Sequence, residues 1–288
     1  MVAPAVEEVY AASSGVSRTE RTLDADWGRS GMTARSDNHP KVALVTGGSR
    51  GVGAATAVAL ASAGYDVAIG YRNKASRAEA VAQQIAAIGR RALPVGGDVT
   101  RETGRAALLS TVQAQFGTLD ALILNASGGL ERDLVAADPD YPLRINRDAQ
   151  VALLESAQPL LQPGSTVVFV TSHWAHRYGE VTQLPDYEPV AASKHAGEQG
   201  IRALIPSLAS QQIRVLVVTG DLIDGTITAK LLERRNPGLA TARIGDGGQA
   251  TTTEAMGRAI AAAVEDTALP SGHTVVVGGS LDSVPGLA

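Results

Sequence analysis

The stretch Val42-Ala43-Leu44-Val45-Thr46-Gly47-Gly48-Ser49-Arg50-Gly51-Val52-Gly53, followed by an alanine-rich segment ending near Gly64, decides how the rest of the chain is read. A short apolar run, a glycine-rich turn and a helix-forming segment in this order make a strand–turn–helix unit. Glycine at 47, 51 and 53 lets the backbone turn sharply and approach a pyrophosphate, whose charge the amide N–H groups at the helix start can hold. Ser49, Arg50 and Val52 lie in the same turn and count as candidate cofactor contacts.

Outward from this unit, short apolar runs alternate with helical patterns. Strands are expected at Val42 to Val45, Asp66 to Tyr71, Arg91 to Val95, Ala121 to Leu124, Thr166 to Val170, Ile213 to Val218 and Thr274 to Val277. They are apolar on both faces, so helices should cover both sides of the sheet. The fold expected is therefore α/β, a doubly wound parallel sheet (Rossmann fold) in a single domain over residues 40–288. Ligands of such sheets bind beyond the carboxyl ends of the strands, which is where functional residues are sought. Residues 1–39 lack sustained periodicity and the basic-then-apolar order of a secretory signal, and are expected to form a polar, flexible arm.

The chain has 288 residues, 44% of them hydrophobic, enough for one large domain with a buried core. Its net charge of −4 and the absence of a basic stripe argue against a nucleic-acid partner. No apolar run reaches the roughly 18 residues that span a bilayer, so no membrane partner is expected. Without cysteine there is no disulfide, thiolate nucleophile or thiolate metal site. That composition fits the cytoplasm, and no metal site is assigned.

Further motifs follow the other strands. The second ends in Gly70-Tyr71-Arg72-Asn73, where an NAD enzyme would place an acid on the ribose 2′-hydroxyl. Here Arg72 and Arg50 offer guanidinium groups suited to a 2′-phosphate, which points to NADP(H). Asp98-Val99 follows the third strand, Asn125-Ala126-Ser127-Gly128 the fourth, and Gly278-Gly279 the last. With the Thr-Gly-x-x-x-Gly-x-Gly turn, this ordered set resembles the short-chain dehydrogenase/reductase family over about residues 41 to 280.

The resemblance implies a small-molecule carbonyl substrate and names residues by position. Asp98 corresponds to an aspartate that contacts adenine, and Ser172 to a serine that hydrogen-bonds the carbonyl oxygen. Lys194 corresponds to a lysine that holds the ribose and lowers a tyrosine pKa, and Asn146 to an asparagine that supports a proton-relay water. Relatives also form homodimers or homotetramers through the helices carrying Asn146 and Lys194.

One family residue is replaced. The segment Val190-Ala191-Ala192-Ser193-Lys194 has valine where the family has its proton-donating tyrosine, and residues four apart on a helix share a face. The interval from Ser172 to Val190 is longer than in the family and contains His173, Trp174, His176, Tyr178 and Tyr187. Several donors remain open: Tyr187 or Tyr178, a loop histidine titrating near neutrality, or a hydroxyl on the substrate itself. Pro189 favours a helix start there and leaves Tyr187 in the loop. After the sixth strand, Gly220 and a shifted Thr226 are the nearest matches to a family glycine and a nicotinamide-contacting threonine. Asp221 or Asp224 is expected to cap the following helix, and the region to Gly248 to set specificity.

The expectation is an NADPH-dependent reductase of a carbonyl or quinone with an atypical proton donor, in specialised, polyketide-like metabolism. A cofactor-dependent dehydratase or epimerase, and a non-catalytic NADP(H)-binding sensor or partner subunit, are the alternatives. Joint retention of Ser172, Lys194 and Asn146 favours an enzyme, and Trp174, Tyr178 and Tyr187 suit a flat or cyclic substrate.

Overall fold

In the chain's first described half, β1 (Val42–Val45), α1 (Gly51–Ser62), β2 (Asp66–Tyr71), α2 (Ala75–Ala87), β3 (Ala92–Gly96), α3 (Glu102–Phe116) and β4 (Leu119–Leu124) alternate strictly. Then come α4 (Arg132–Ala137), α5 (Tyr141–Leu143), a π-helical turn (Arg144–Asp148), α6 (Ala149–Ala157) and β5 (Leu161–Ser172). The rest comprises α7 (His173–His176), α8 (Glu188–Ala203), α9 (Ile205–Ser210), β6 (Arg214–Gly220), α10 (Ile227–Arg235), α11 (Leu239–Ile244), α12 (Thr253–Glu265) and β7 (Thr274–Val277). This is a computed structural model, and it describes residues 40–244 and 251–283. The expected arm over residues 1–39 and the last residues of the expected specificity region lie outside the described residues.

All seven strands are parallel, in the order β3-β2-β1-β4-β5-β6-β7. The order reverses between β1 and β4, which opens a crevice beyond their carboxyl ends. Successive strand residues face opposite layers. Leu44, Leu122 and Val167 pack with Leu108, Leu153 and Ile201 of α3, α6 and α8. Their neighbours Val45, Ile123 and Val168 pack with Leu60, Ile85 and Ile260 of α1, α2 and α12. Each such side chain contributes about 1.5–3 kcal/mol by leaving water.

Strands β1, β2 and β7 have the expected bounds, whereas β5 runs on to Ser172 and β6 to Gly220. The extension has a tertiary cause: Thr171 pairs with Thr219 and Ser172 with Gly220. The ladder thus holds polar residues that hydrophobic patterning assigns to a loop. Among the described residues no helix is long and apolar enough to cross a membrane.

Candidate active site

The crevice is a cleft of about 720 Å³ lined from the turn after β1 to Met256 of α12. At one end the turn after β1 forms a phosphate-sized cradle. Gly47 and Gly51 have φ of +64° and +54°, a region that glycine occupies without strain. A methyl group on Gly53 would lie 2.4 Å from the Gly47 carbonyl oxygen, so only glycine lets α1 start this close to the turn. The bond from Ala54 N–H to the Arg50 carbonyl is 3.2 Å long, and the amides of Gly51 to Gly53 ahead of it have no partner within the helix. Those N–H groups and a glycine-only turn fit a pyrophosphate.

Thr46 braces the cradle against β4. Its hydroxyl accepts from Asn125 N–H and Ala126 N–H, both at 3.0 Å, and the Asn125 side-chain amide donates to the Thr46 carbonyl at 2.9 Å. Asn125 lines the cleft and also fixes the shape of its neighbour, a role that the sequence pattern does not separate from ligand contact.

Beyond β2 the lining includes Tyr71, Arg72 and Asn73, with Arg50 opposite. Lys74 and Arg77 join them and were not singled out in the sequence, because they fall past the motif and on the first turns of α2. No acid stands between Tyr71 and Arg77. Four exposed cations at this end suit a phosphate dianion. Asp98 and Val99 border the same space, and one Asp98 carboxylate oxygen accepts from Thr100 N–H and Oγ1 at 3.0 and 2.7 Å.

At the other end, β5 delivers Ser172, the N-cap of α7, whose hydroxyl accepts from Ala175 N–H at 3.3 Å. The Tyr187 hydroxyl lies 2.9 Å from the same Ser172 oxygen. Tyr187 is 4% exposed and packs edge-on to Trp174, with ring centroids 6.2 Å apart. As expected from Pro189, it lies just outside the helix: α8 begins at Glu188, and Tyr187 ends the preceding turn as its N-cap, its carbonyl accepting from Val190 N–H and Ala191 N–H. Seven residues before Lys194 on a helix is a rotation only about 20° out of line, against about 40° for the four-residue step from position 190. Ser172, Tyr187, Trp174 and Lys194 all line the cleft.

Burial raises the Tyr187 phenol above its ordinary value, with the Ser172 hydrogen bond working the other way. The phenol stays protonated at neutral pH. Burial pulls the Lys194 ammonium down to about 8.

Val190 does not reach the cleft. It is buried in a cluster with Trp174, Ala175, Tyr187 and Leu232, against Gly129. Asn146, in the π-helical turn, is a hub. Its amide donates to the Gly128 carbonyl and Ser193 Oγ at 2.9 Å each, and its oxygen accepts from Ser127 Oγ at 2.8 Å and Gly128 N–H at 3.3 Å. The side chain therefore has no hydrogen left for a relay water. A methyl group on Gly197 would lie 2.0 Å from the Asn146 carbonyl, so α8 rests directly on this turn.

Other expectations are corrected. Tyr178 packs on His195, with ring centroids 5.9 Å apart, forms a short bridge with Val181, and does not line the cleft. His173 is fully buried, with Nδ1 3.0 Å from Thr219 Oγ1 and Nε2 3.2 Å from the Gly278 carbonyl. A carbonyl only accepts, so Nε2 carries the hydrogen. His176 meets Glu198 at 2.9 Å, also outside the cleft. Thr226, not Asp221 or Asp224, caps α10, accepting from Ala229 N–H at 3.1 Å. Each aspartate instead accepts from the amide of the next residue, Leu222 or Gly225. Thr226 lines the cleft, whereas Gly220 is covered by Ile223 and Met256. Leu222 and Leu232 add an apolar wall beside Trp174 that no motif announced.

A family model described as short chain dehydrogenase matches residues 41–236. Versicolorin reductase 1 of Aspergillus parasiticus is 32% identical over 189 residues, covering 64% of this chain and 71% of that protein. Hydroxynaphthalene reductase arp2 of Aspergillus fumigatus is 36% identical over 169 residues, covering 57% of this chain and 59% of that protein. Among solved structures, the promiscuous reductase LugOII, which catalyses keto-reduction at C1 during lugdunomycin biosynthesis, superposes with a TM-score of 0.72 at 26% identity. The match covers 85% of this chain and 100% of that chain. The angucycline C-6 ketoreductase LanV with bound NADP gives 0.70 at 27% identity, covering 84% and 95%.

Proposed function

The chain belongs to the short-chain dehydrogenase family, and from that premise we propose that it is an NADPH-dependent reductase of carbonyl or quinone groups on planar aromatic substrates, with Tyr187 as proton donor. The observation that carries this reading is the 2.9 Å contact between the Tyr187 and Ser172 hydroxyls, in a cleft that Lys194 also lines.

The cradle of Gly47 to Gly53 would hold the pyrophosphate, Asp98 and Val99 the adenine, Lys194 a ribose, and Arg50 and Arg72 the 2′-phosphate. When bound, the cofactor supplies the hydride that goes to the carbonyl carbon. Everything else falls to this chain's side chains. Two hydroxyls 2.9 Å apart share one hydrogen, which leaves the other free to point at a substrate oxygen. If Ser172 donates to Tyr187, then Tyr187 Oη–H faces the substrate; in the reverse case the proton passes through Ser172 Oγ. Both arrangements place a donor where negative charge grows on the oxygen. A phenol kept neutral by burial enters as an acid, which suits reduction rather than alcohol oxidation.

Trp174, Leu222 and Leu232 provide flat apolar walls that match a fused-ring substrate. The relatives named for versicolorin and hydroxynaphthalene reduction support the same substrate class and a place in specialised metabolism. A homodimer or homotetramer in the cytoplasm completes the proposal, and a light-scattering mass above that of the monomer checks its assembly. The function itself is tested by NADPH consumption with hydroxylated naphthalenones and anthraquinones. Turnover is expected with at least one, and none across the panel, with cofactor binding intact, overturns the reading.

A further inference from the structure

Arg72 stands on the surface at the end of β2, where a long side chain samples many rotamers unless something holds it. Something does. Its Nη1 donates at 2.8 Å to the hydroxyl of Tyr141, the first residue of α5. Tyr141 is 8% exposed, and its ring lies so close over Gly128 that a methyl group there would be 2.9 Å from the phenol oxygen. The acceptor is thus fixed by packing. We propose that Tyr141 is a specificity-determining positioning residue that presents the Arg72 guanidinium to the 2′-phosphate of NADPH.

The chemistry of the partner matters. A carboxylate would hold Arg72 more strongly but neutralise it, and would repel a phosphate dianion. A neutral phenol orients the guanidinium and leaves its charge and remaining N–H donors available. Two acids lie near this pair, Glu131 and Asp98, and each has other recorded donors: Glu131 Oε2 accepts from Gly129 N–H at 2.8 Å, and one Asp98 oxygen accepts from Thr100 N–H and Oγ1 at 3.0 and 2.7 Å. Arg72 pulls the phenol toward its ionised form against the larger effect of burial, as expected for a charge in direct contact. Preorganisation of this kind raises affinity by removing the ordering cost from the binding step.

The inference rests on the NADPH reading above, and a double-mutant cycle separates the two. Fluorescence titrations with NADPH and NADH are made on the wild type, Tyr141→Phe, Arg72→Ala and the double variant; phenylalanine keeps the ring and removes only the acceptor. Tyr141→Phe is expected to weaken NADPH by roughly fivefold or more with NADH unchanged, and to add nothing in the Arg72→Ala background. Unchanged or tighter NADPH binding, or equal losses for both cofactors, overturns the role of Tyr141 while leaving the NADPH reading intact. A wild type that binds NADH as tightly as NADPH overturns both, whereas Arg72→Ala with undiminished NADPH affinity overturns the roles of Arg72 and Tyr141.

Discussion

The turn at residues 46–53 and the segment at residues 173–187 both follow a parallel strand and both furnish the same cleft, yet they encode their contribution differently. In the first, the backbone does the work. Positive φ at Gly47 and Gly51, and a 2.4 Å approach that only a missing side chain permits at Gly53, tie the cradle to particular sequence positions. In the second, on the reading proposed above, one hydroxyl at one place in space is what would count. A helix start can present it from position 187 as well as from 190, because a seven-residue step returns to the face of Lys194. If Tyr187 is the donor, backbone-borne function leaves a rigid spacing in the sequence, while side-chain-borne function can migrate along the chain.

The strongest challenge to this contrast is Gly53→Val. A branched side chain meeting the Gly47 carbonyl and the Asn125 amide should abolish NADPH binding and cost about 1–3 kcal/mol or more of stability, read by titration and urea unfolding. Retained binding would show that the cradle tolerates side chains.

Val190→Tyr restores the family's residue at the family's position. Since position 190 is buried against Gly129 and Leu232, the larger ring should cost about 1–3 kcal/mol and give no gain in turnover. A gain with unchanged stability would show that 190 opens to the cleft after all.

A smaller effect concerns Lys194. Its folded pKa of about 8 lies below the ordinary 10.5, so between those values the folded chain has lost a proton that the unfolded chain keeps. More protons on the unfolded state means stability that rises with pH. Urea unfolding of the cofactor-free protein should show the wild type gaining on Lys194→Met from about pH 8 to 10.5. A flat or falling difference would place the ammonium in water.

The same contrast explains what could be read from the sequence. Alternating apolar runs gave the sheet and its layers, and the glycine spacing gave the cradle, since both are set by local chemistry. The ends of β5 and β6 escaped because Thr171 and Ser172 are held by strand pairing, not by their own propensity. Tyr178 and Tyr187 could not be told apart, since the bridge from Tyr178 to Val181 and the N-cap position of Tyr187 are tertiary outcomes. Asn146 sits where the resemblance put it, but its side chain is committed to Gly128, Ser127 and Ser193, and none of those partners is adjacent in sequence.

The central claim is that the proton donor has moved from position 190 to Tyr187. Paired steady-state kinetics of Tyr187→Phe and Tyr178→Phe on an accepted aromatic ketone, with NADPH affinity measured alongside, address it most directly. The account predicts that Tyr187→Phe lowers kcat by about 10²-fold or more with cofactor affinity unchanged, and that Tyr178→Phe stays close to wild type. Near-normal turnover in Tyr187→Phe, or a loss of that size in Tyr178→Phe alone, would contradict it.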